Sequence, residues 1–247
     1  MAKTIYINGK FLTQPVTGVQ RYAYELINNF DLLLENGYLR HKVKIYCLVP
    51  PKTNVEAQWK NIKVEPIGIN RGNIWEQIDL PLYLKGKFLF SPANTGPFLY
   101  RNQAVTMHDA SVFAIPHAYS FPFRLKHKLI FKSLSQLAQI IFTDSKFSQK
   151  ELSHYLNHPR ERYRVIHLAG DHIDRIEPDL KILKKHGLIK NEYILTVASQ
   201  SPHKNFRTAQ NAVKSIKSNI KIVLAGGIFK QYSTKPLPNK QLKIPYC

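Results

Sequence analysis

The sequence predicts an α/β chain built on doubly wound, mostly parallel sheets. Three observations carry this. Short apolar runs of strand length alternate with segments of helical period. Pro, Gly and small polar residues punctuate the ends of the runs. Polar residues able to do chemistry collect just after those runs, where an open parallel sheet holds its ligands.

Taken in order, Thr4 to Ile7 is a short strand pattern, followed by a loop from Gly9 to Gly18. Thr17 then opens a helix as N-cap, with Gln20 reaching back in a capping box. Val19, Tyr22, Ala23, Leu26, Ile27 and Phe30 line one face of that helix. Val43 to Val49 and Ile62 to Ile67 read as the next strands. Ile74, Ile78 and Leu82 mark a helix in which Pro81 must start, kink or end a part. Phe88 to Phe90 and Ala104 to Met107 are strands, the first running into the loop Ser91 to Pro97.

Arg124 to Ala138 reads as a helix carrying Leu125, Leu129, Ile130, Leu134 and Leu137 on its apolar side. Ile140 to Thr143 is a strand. Ser145, or Ser148 with Glu151, caps the helix after it. Val165 to Leu168 is the last strand of this half. Lys181 to His186 is a short helix capped by Gly187. Tyr193 to Ala198 and Ile220 to Ala225 are the remaining strands, with a helix carrying Phe206, Ala209, Val213 and Ile216 between them. The expected domains are 1–169, a linker at 170–179, a smaller unit at 180–229, and an irregular tail at 230–247 that reads as a truncated or altered C-terminus.

The chain has 247 residues, 44% of them apolar, enough for a sizeable core. Its start, Met-Ala-Lys-Thr-Ile-Tyr, is no secretory leader, and no apolar run approaches a membrane span, so a cytoplasmic protein is expected. The two cysteines, Cys47 and Cys247, form neither a disulfide framework nor a metal-ligand spacing. Net charge is +20, a field that draws phosphate-rich partners. The charge is dispersed, with its densest stretches at Arg160 to Arg164, Lys126 to Lys128 and Lys181 to Lys185. That argues against a dedicated nucleic-acid module and leaves open peripheral contact with an anionic membrane at its inner face.

Strand ends gather Gly18, Ser91 to Asn94, His108-Asp109, Asp144-Ser145, Gly170-Asp171 and Ser199 to Asn205. Asp109 serves equally as a turn cap, and Ser145 reads as a cap rather than a nucleophile. Lys204 stands at the mouth of a helix, where a cation and unpaired N–H groups favour an anion; an ordinary turn with a surface lysine explains it too. Neither Gly-x-Gly-x-x-Gly nor the P-loop pattern is present, which excludes the usual dinucleotide and P-loop signatures.

Several runs together resemble a known family. Thr17-Gly18-Val19-Gln20-Arg21-Tyr22, Phe90 to Asn94, Val105 to Asp109, Ile141 to Leu152 and Val165 to His167 resemble the N-terminal half of GT-B glycosyltransferases of the retaining family 4 type. Ile194 to Asn205 and Val223 to Gly227 look like the first strands and loop of that family's second domain.

The resemblance implies a GT-B fold of two Rossmann-like domains, the second incomplete. It implies transfer of a hexose from a nucleotide sugar to a glycan or lipid-linked acceptor, with no cofactor and no bound metal. By the same resemblance His108 contacts the transferred sugar, and Lys204, Gly18 and Ser199 hold the donor diphosphate. Asn94 and Asp109 lie on the acceptor side of the cleft. Such a cation would stabilise the leaving diphosphate more in the transition state than in the ground state. Two features depart from the family. No arginine precedes Lys204 in Ala198-Ser199-Gln200-Ser201, and no Glu-x7-Glu motif follows. Weak or absent turnover is therefore expected of this chain, and a non-catalytic GT-B remnant acting as a binding subunit is the second reading.

Overall fold

The computed structural model describes residues 3–39, 42–55, 59–197, 204–215, 220–226 and 242–244. The chain divides into two compact units, one within Met1–Ala110 and His127–His172, the other within Ser111–Lys126 and Ile173–Cys247.

The chain begins with β1 (Lys3–Asn8), a 3-10 turn (Gly9–Thr13) and α1 (Gly18–Glu35). β2 (Val43–Val49) and β3 (Lys63–Pro66) follow. Next comes a helical stretch in three parts: α2 (Gly72–Ile74), a π-helical turn (Trp75–Asp79) and α3 (Leu80–Leu84). After β4 (Leu89–Ser91) and β5 (Gln103–Thr106) come α4 (Ser111–Ala114) and α5 (Phe121–Leu137). β6 (Ile140–Thr143), α6 (Lys146–Leu156) and β7 (Tyr163–Val165) complete the series. α4 and the first turns of α5 group with the second unit.

Among the described residues the first unit holds a seven-stranded sheet in the order β3-β2-β1-β4-β5-β6-β7, every pair parallel. Strand alternation sends successive residues to opposite faces. Ile7, Cys47 and Phe90 pack on one side with Ala23, Ile27 and Leu34 of α1. Their neighbours Tyr6, Leu48 and Leu89 pack on the other with Trp75, Leu80 and Leu84. Both faces are therefore covered, which is why these strands read as nearly continuous apolar runs. Full burial pushes the Cys47 thiol up to about 12.

Local chemistry fixes the connections. Thr17 and Gln20 form the expected capping box, the Gln20 Oε1 accepting from the Thr17 N–H at 3.2 Å. Asp31, on the buried side of α1, accepts from the backbone N–H groups of Lys60, Asn61 and Ile62 and so fixes the entry to β3. Asp79 does the same for the turn before α2, accepting from the N–H groups of Ile69 and Asn70. Gly68 in that turn has φ +74°, and a Cβ there would collide with the Asp79 carboxylate. Ser145 caps α6, its Oγ accepting from Ser148 N at 3.0 Å, which decides between the two caps the sequence offers.

The second unit contains α7 (Lys181–Lys185), β8 (Tyr193–Val197), α8 (Phe206–Ser215), β9 (Lys221–Ala225) and β10 (Leu242–Ile244). Its three described strands are parallel, in the order β10-β9-β8. β10 corrects the expectation of a strandless tail: three residues are too few for alternation to show, and the strand exists through its pairing with Val223 to Ala225.

Two further expectations change. The last strand of the first sheet is Tyr163–Val165, not Val165 to Leu168. Buried Tyr163 pairs with Ile141, whereas Ile166 and Leu168 are exposed. The helix faces also differ. Ile74, Ile78, Leu82, Leu125 and Leu129 are exposed, while Trp75, Leu80, Leu84 and Phe131 join the expected Ile130 and Leu134 in the core.

Candidate active site

The order of the first sheet reverses between β1 and β4, so the loops leaving these two strands diverge and open a crevice at their C-terminal ends. Asn8 closes β1 and Ser91 closes β4, and the Asn8 amide reaches Ser91 Oγ at 3.4 Å. Behind them lies a buried ion pair, Lys10 Nζ to Glu76 Oε2 at 2.6 Å. Lys10 also donates to Asn73 Oδ1 at 3.0 Å. The other Glu76 oxygen accepts from Asn8 Nδ2 at 2.9 Å and from Thr95 Oγ1 at 2.8 Å. Glu76 thus ties the turn after β1, the π-helical turn and the loop after β4 into one polar knot. The sequence reading missed Asn8, Lys10 and Glu76. One signal was available: Glu76 is an acid beside Trp75, inside an apolar helix pattern.

One strand further along, His108 follows β5. It is buried, and three bonds hold it. Its N–H donates to Asn94 Oδ1 at 2.8 Å. Its ring Nδ1 lies 2.9 Å from Asp144 Oδ2, at the end of β6, and Nε2 lies 3.0 Å from the Pro92 carbonyl. Both ring nitrogens thus face oxygen acceptors. The Tyr22 ring of α1 meets the imidazole edge-on, with centroids 4.7 Å apart. Burial pushes the Tyr22 phenol above its ordinary value, and the Asp144 charge adds to this. Asn94 sits at φ +63°, with its N–H on the Thr106 carbonyl at 3.1 Å. Left-handed backbone of this kind is tolerated by Asn and held here by bonds on both sides.

The structure therefore brings together His108 and Asn94 of the expected residues and adds Asp144, Pro92 and Tyr22 to them. Asp109 is the next residue and is exposed. Gly18 is the first residue of α1, also exposed, and a Cβ there would meet nothing within 4 Å. The protein itself does not demand a glycine at this point, so the open space beside it is available to a ligand. Lys204 is in the second unit, exposed, just before α8; Asn205 between them has φ +47°. Ser199 lies outside the described residues.

A separate open groove of about 500 Å³ runs along the ends of β1, β2 and β3, with Gln14, Pro50, Lys52, Asn54 and Arg71 in its described lining. His108 is not in that lining. Among the described residues no group of three or more His, Cys, Asp or Glu is placed to hold a metal ion. No described helix is long and apolar enough to cross a membrane.

No protein-family model matches the chain. It is similar to the O-antigen chain mannosyltransferase B of Escherichia coli, 26% identical over 214 residues that cover 78% of this chain and 55% of that protein. The chain thus spans about half the length of this curated relative. Among solved structures it is similar to Anabaena Alr3699/HepE in complex with UDP-glucose, with a TM-score of 0.57, 12% identity, and coverage of 100% of this chain and 70% of that one. It is also similar to the same protein in complex with UDP and glucose, with a TM-score of 0.57, 14% identity, and coverage of 93% and 62%. The likeness is one of fold, and the α/β, Rossmann-like class of GT-B type expected from the sequence is borne out.

Proposed function

We propose that the chain is a glycosyltransferase that moves a hexose from a nucleotide sugar to a glycan or lipid-linked acceptor, with retention. The observation that carries this is the likeness to a mannosyltransferase across 214 residues. The gathering of His108, Asp144 and Asn94 at one sheet edge supports it, because that edge is where open α/β sheets hold ligands.

In this reading the first unit takes the acceptor and the second the donor. The groove lined by Gln14, Lys52 and Arg71 receives the acceptor, with Asn94 and Asp109 on the same side. Lys204, Ser199 and the first N–H groups of α8 meet the donor diphosphate, and Gly18 leaves room for it. His108 exchanges its Pro92 partner for a hydroxyl of the transferred sugar. Asp144 holds the ring so that Nε2 points to that hydroxyl. As the sugar–phosphate bond breaks, negative charge grows on the diphosphate, and a preorganised ammonium with helix N–H groups stabilises it most in the transition state. The sugar is a mannosyl unit in the simplest form of the reading, since the relative is a mannosyltransferase.

The test is calorimetric titration of the folded chain with GDP- and UDP-linked sugars, together with an assay for released nucleoside diphosphate. Saturable binding to one donor is expected. It should weaken at least about tenfold in Lys204→Ala, and His108→Ala should lower turnover by roughly 10²- to 10³-fold. A chain that is folded by circular dichroism and binds no donor overturns the proposal.

A further inference from the structure

The loop after β4, residues 92–102, contains neither helix nor strand, yet two of the three groups that hold His108 lie on it. Asn94 Oδ1 accepts from the His108 N–H, and the Pro92 carbonyl faces the ring Nε2. A loop moves more readily than the strands beside it. Where this loop sits therefore decides where the imidazole sits. The π-helical turn anchors it from outside. Thr95, the residue after Asn94, donates to Glu76 Oε1 at 2.8 Å. Gln77 donates to the Gly96 carbonyl at 3.1 Å and accepts from Phe98 N at 2.9 Å. Two successive residues of one π turn thus grip one loop, and π turns recur at functional sites. All of these residues belong to the first unit.

Stability alone does not account for Glu76. Its side chain is 1% exposed, and an apolar pair of similar volume commonly serves a fold as well as a buried ion pair. What an apolar pair cannot supply is direction. Lys10 Nζ meets Glu76 Oε2 at 2.6 Å and fixes the carboxylate from one side. Oε1 is left for Thr95 Oγ1 and for Asn8 Nδ2, at 2.8 and 2.9 Å. The same Asn8 amide reaches Ser91 Oγ at 3.4 Å. Pro92 to Asn94 therefore lie between two points that one carboxylate holds, Ser91 through Asn8 and Thr95 directly.

We propose that Glu76 is a positioning residue for His108: through Asn8 and Thr95 it clamps Pro92 to Asn94 and so sets the imidazole where a sugar hydroxyl meets it. The inference rests on the glycosyl-transfer reading and deepens it at one step. When the hydroxyl takes the place of the Pro92 carbonyl, a free loop would follow the ring, whereas a clamped one leaves Nε2 aimed at the sugar. Placement of this kind acts on kcat, since a misplacement of about 1 Å costs on the order of 10²-fold.

The test uses three variants of the full chain. Thr95→Val removes the hydroxyl that reaches Glu76, and Thr95→Ser keeps it. Lys10→Met with Glu76→Leu removes the clamp and leaves no charge buried. Long-range proton–nitrogen NMR of the imidazoles reads the ring, with the His108 signals assigned by their loss in His108→Gln. The His108 Nε2 signal should move in Thr95→Val and in the double variant and stay at the parent position in Thr95→Ser, with circular dichroism unchanged. In the same two variants kcat for release of nucleoside diphosphate should fall at least about tenfold, with KM for the donor held within about twofold. Tyr83→Phe removes another hydroxyl-to-carboxylate bond of this helical segment, to Glu65 at 2.8 Å, and should behave as the parent does. An unmoved His108 signal in both Thr95→Val and the double variant overturns the proposal, whether or not the chain turns over. A raised KM at unchanged kcat overturns it too, by assigning Thr95 to donor binding. A parent chain that binds and turns over no donor counts against the glycosyltransferase reading instead, and the NMR signal still decides the placement of His108.

Discussion

At the scale of single residues, Lys10 and Glu76 show what the chain keeps out of water to shape its crevice. Their side chains are 8% and 1% exposed, and neither has solvent to fall back on. Removing one partner strands the other, so Glu76→Ala should cost roughly 3–5 kcal/mol in urea unfolding. The double variant Lys10→Met with Glu76→Leu should cost much less, because no charge is then left buried. His108 was legible from the sequence, since a histidine directly after an apolar strand lies at the ligand edge of a parallel sheet. Asn94 was expected beside it, but the pairing of its ring was not legible. Asp144 is 36 residues away and Pro92 acts through its backbone carbonyl, and neither relation leaves a trace in spacing. Glu76 was hidden for a different reason: its partners Asn8 and Thr95 reach it only after the sheet has formed.

At the scale of elements, the turn between β3 and α2 rests on one carboxylate. Burial alone would raise the Asp79 pKa, but bonds from the Asn70 side chain and from the N–H groups of Asn70 and Ile69 outweigh it and hold the carboxyl below its ordinary value. A lowered folded value means that the stabilisation is complete above the unfolded carboxyl range and is lost as pH falls through the folded value. Asp79→Ala should therefore lower the Tm at neutral pH, and the gap to the parent should close as pH falls below the ordinary carboxyl range, read by thermal scans across pH. Strands were easy to read where apolar runs had clear ends, as at Val43–Val49 and Ile140–Thr143. Periodicity failed on the helix faces because Gly72–Leu84 and α5 are apolar on two sides. Sequence spacing gives the rows and cannot say which one meets the sheet. β7 slipped for a related reason, since the apolar run continues beyond the paired residues.

At the scale of the whole chain, the fold class was legible because it rests on alternation summed over many elements, where one misplaced boundary changes little. The second sheet was harder to read, because β10 is three residues long and defined by pairing alone. Charge belongs to this scale too. Thirty-six Lys and Arg face sixteen acids, and so large an excess strains any compact state through self-repulsion. Raising ionic strength from about 0.02 to 0.3 M shortens the screening length several-fold, so the Tm should rise. A fall in Tm, measured by scanning fluorimetry in a non-binding salt, would show that favourable ion pairs outweigh the repulsion.

The π-helical turn at Trp75–Asp79 has a consequence for how this segment tolerates length changes. A π turn holds one residue more than an α turn. The extra residue is taken up inside that one turn, so Leu80 and Leu84 keep the phase they would have in an α-helix one residue shorter. Deleting Ile78 should therefore leave the Leu80 and Leu84 packing in place, whereas a deletion in the first turns of α5, which has no such turn, would rotate everything after it by about 100° and carry Ile130 and Leu134 off the buried side.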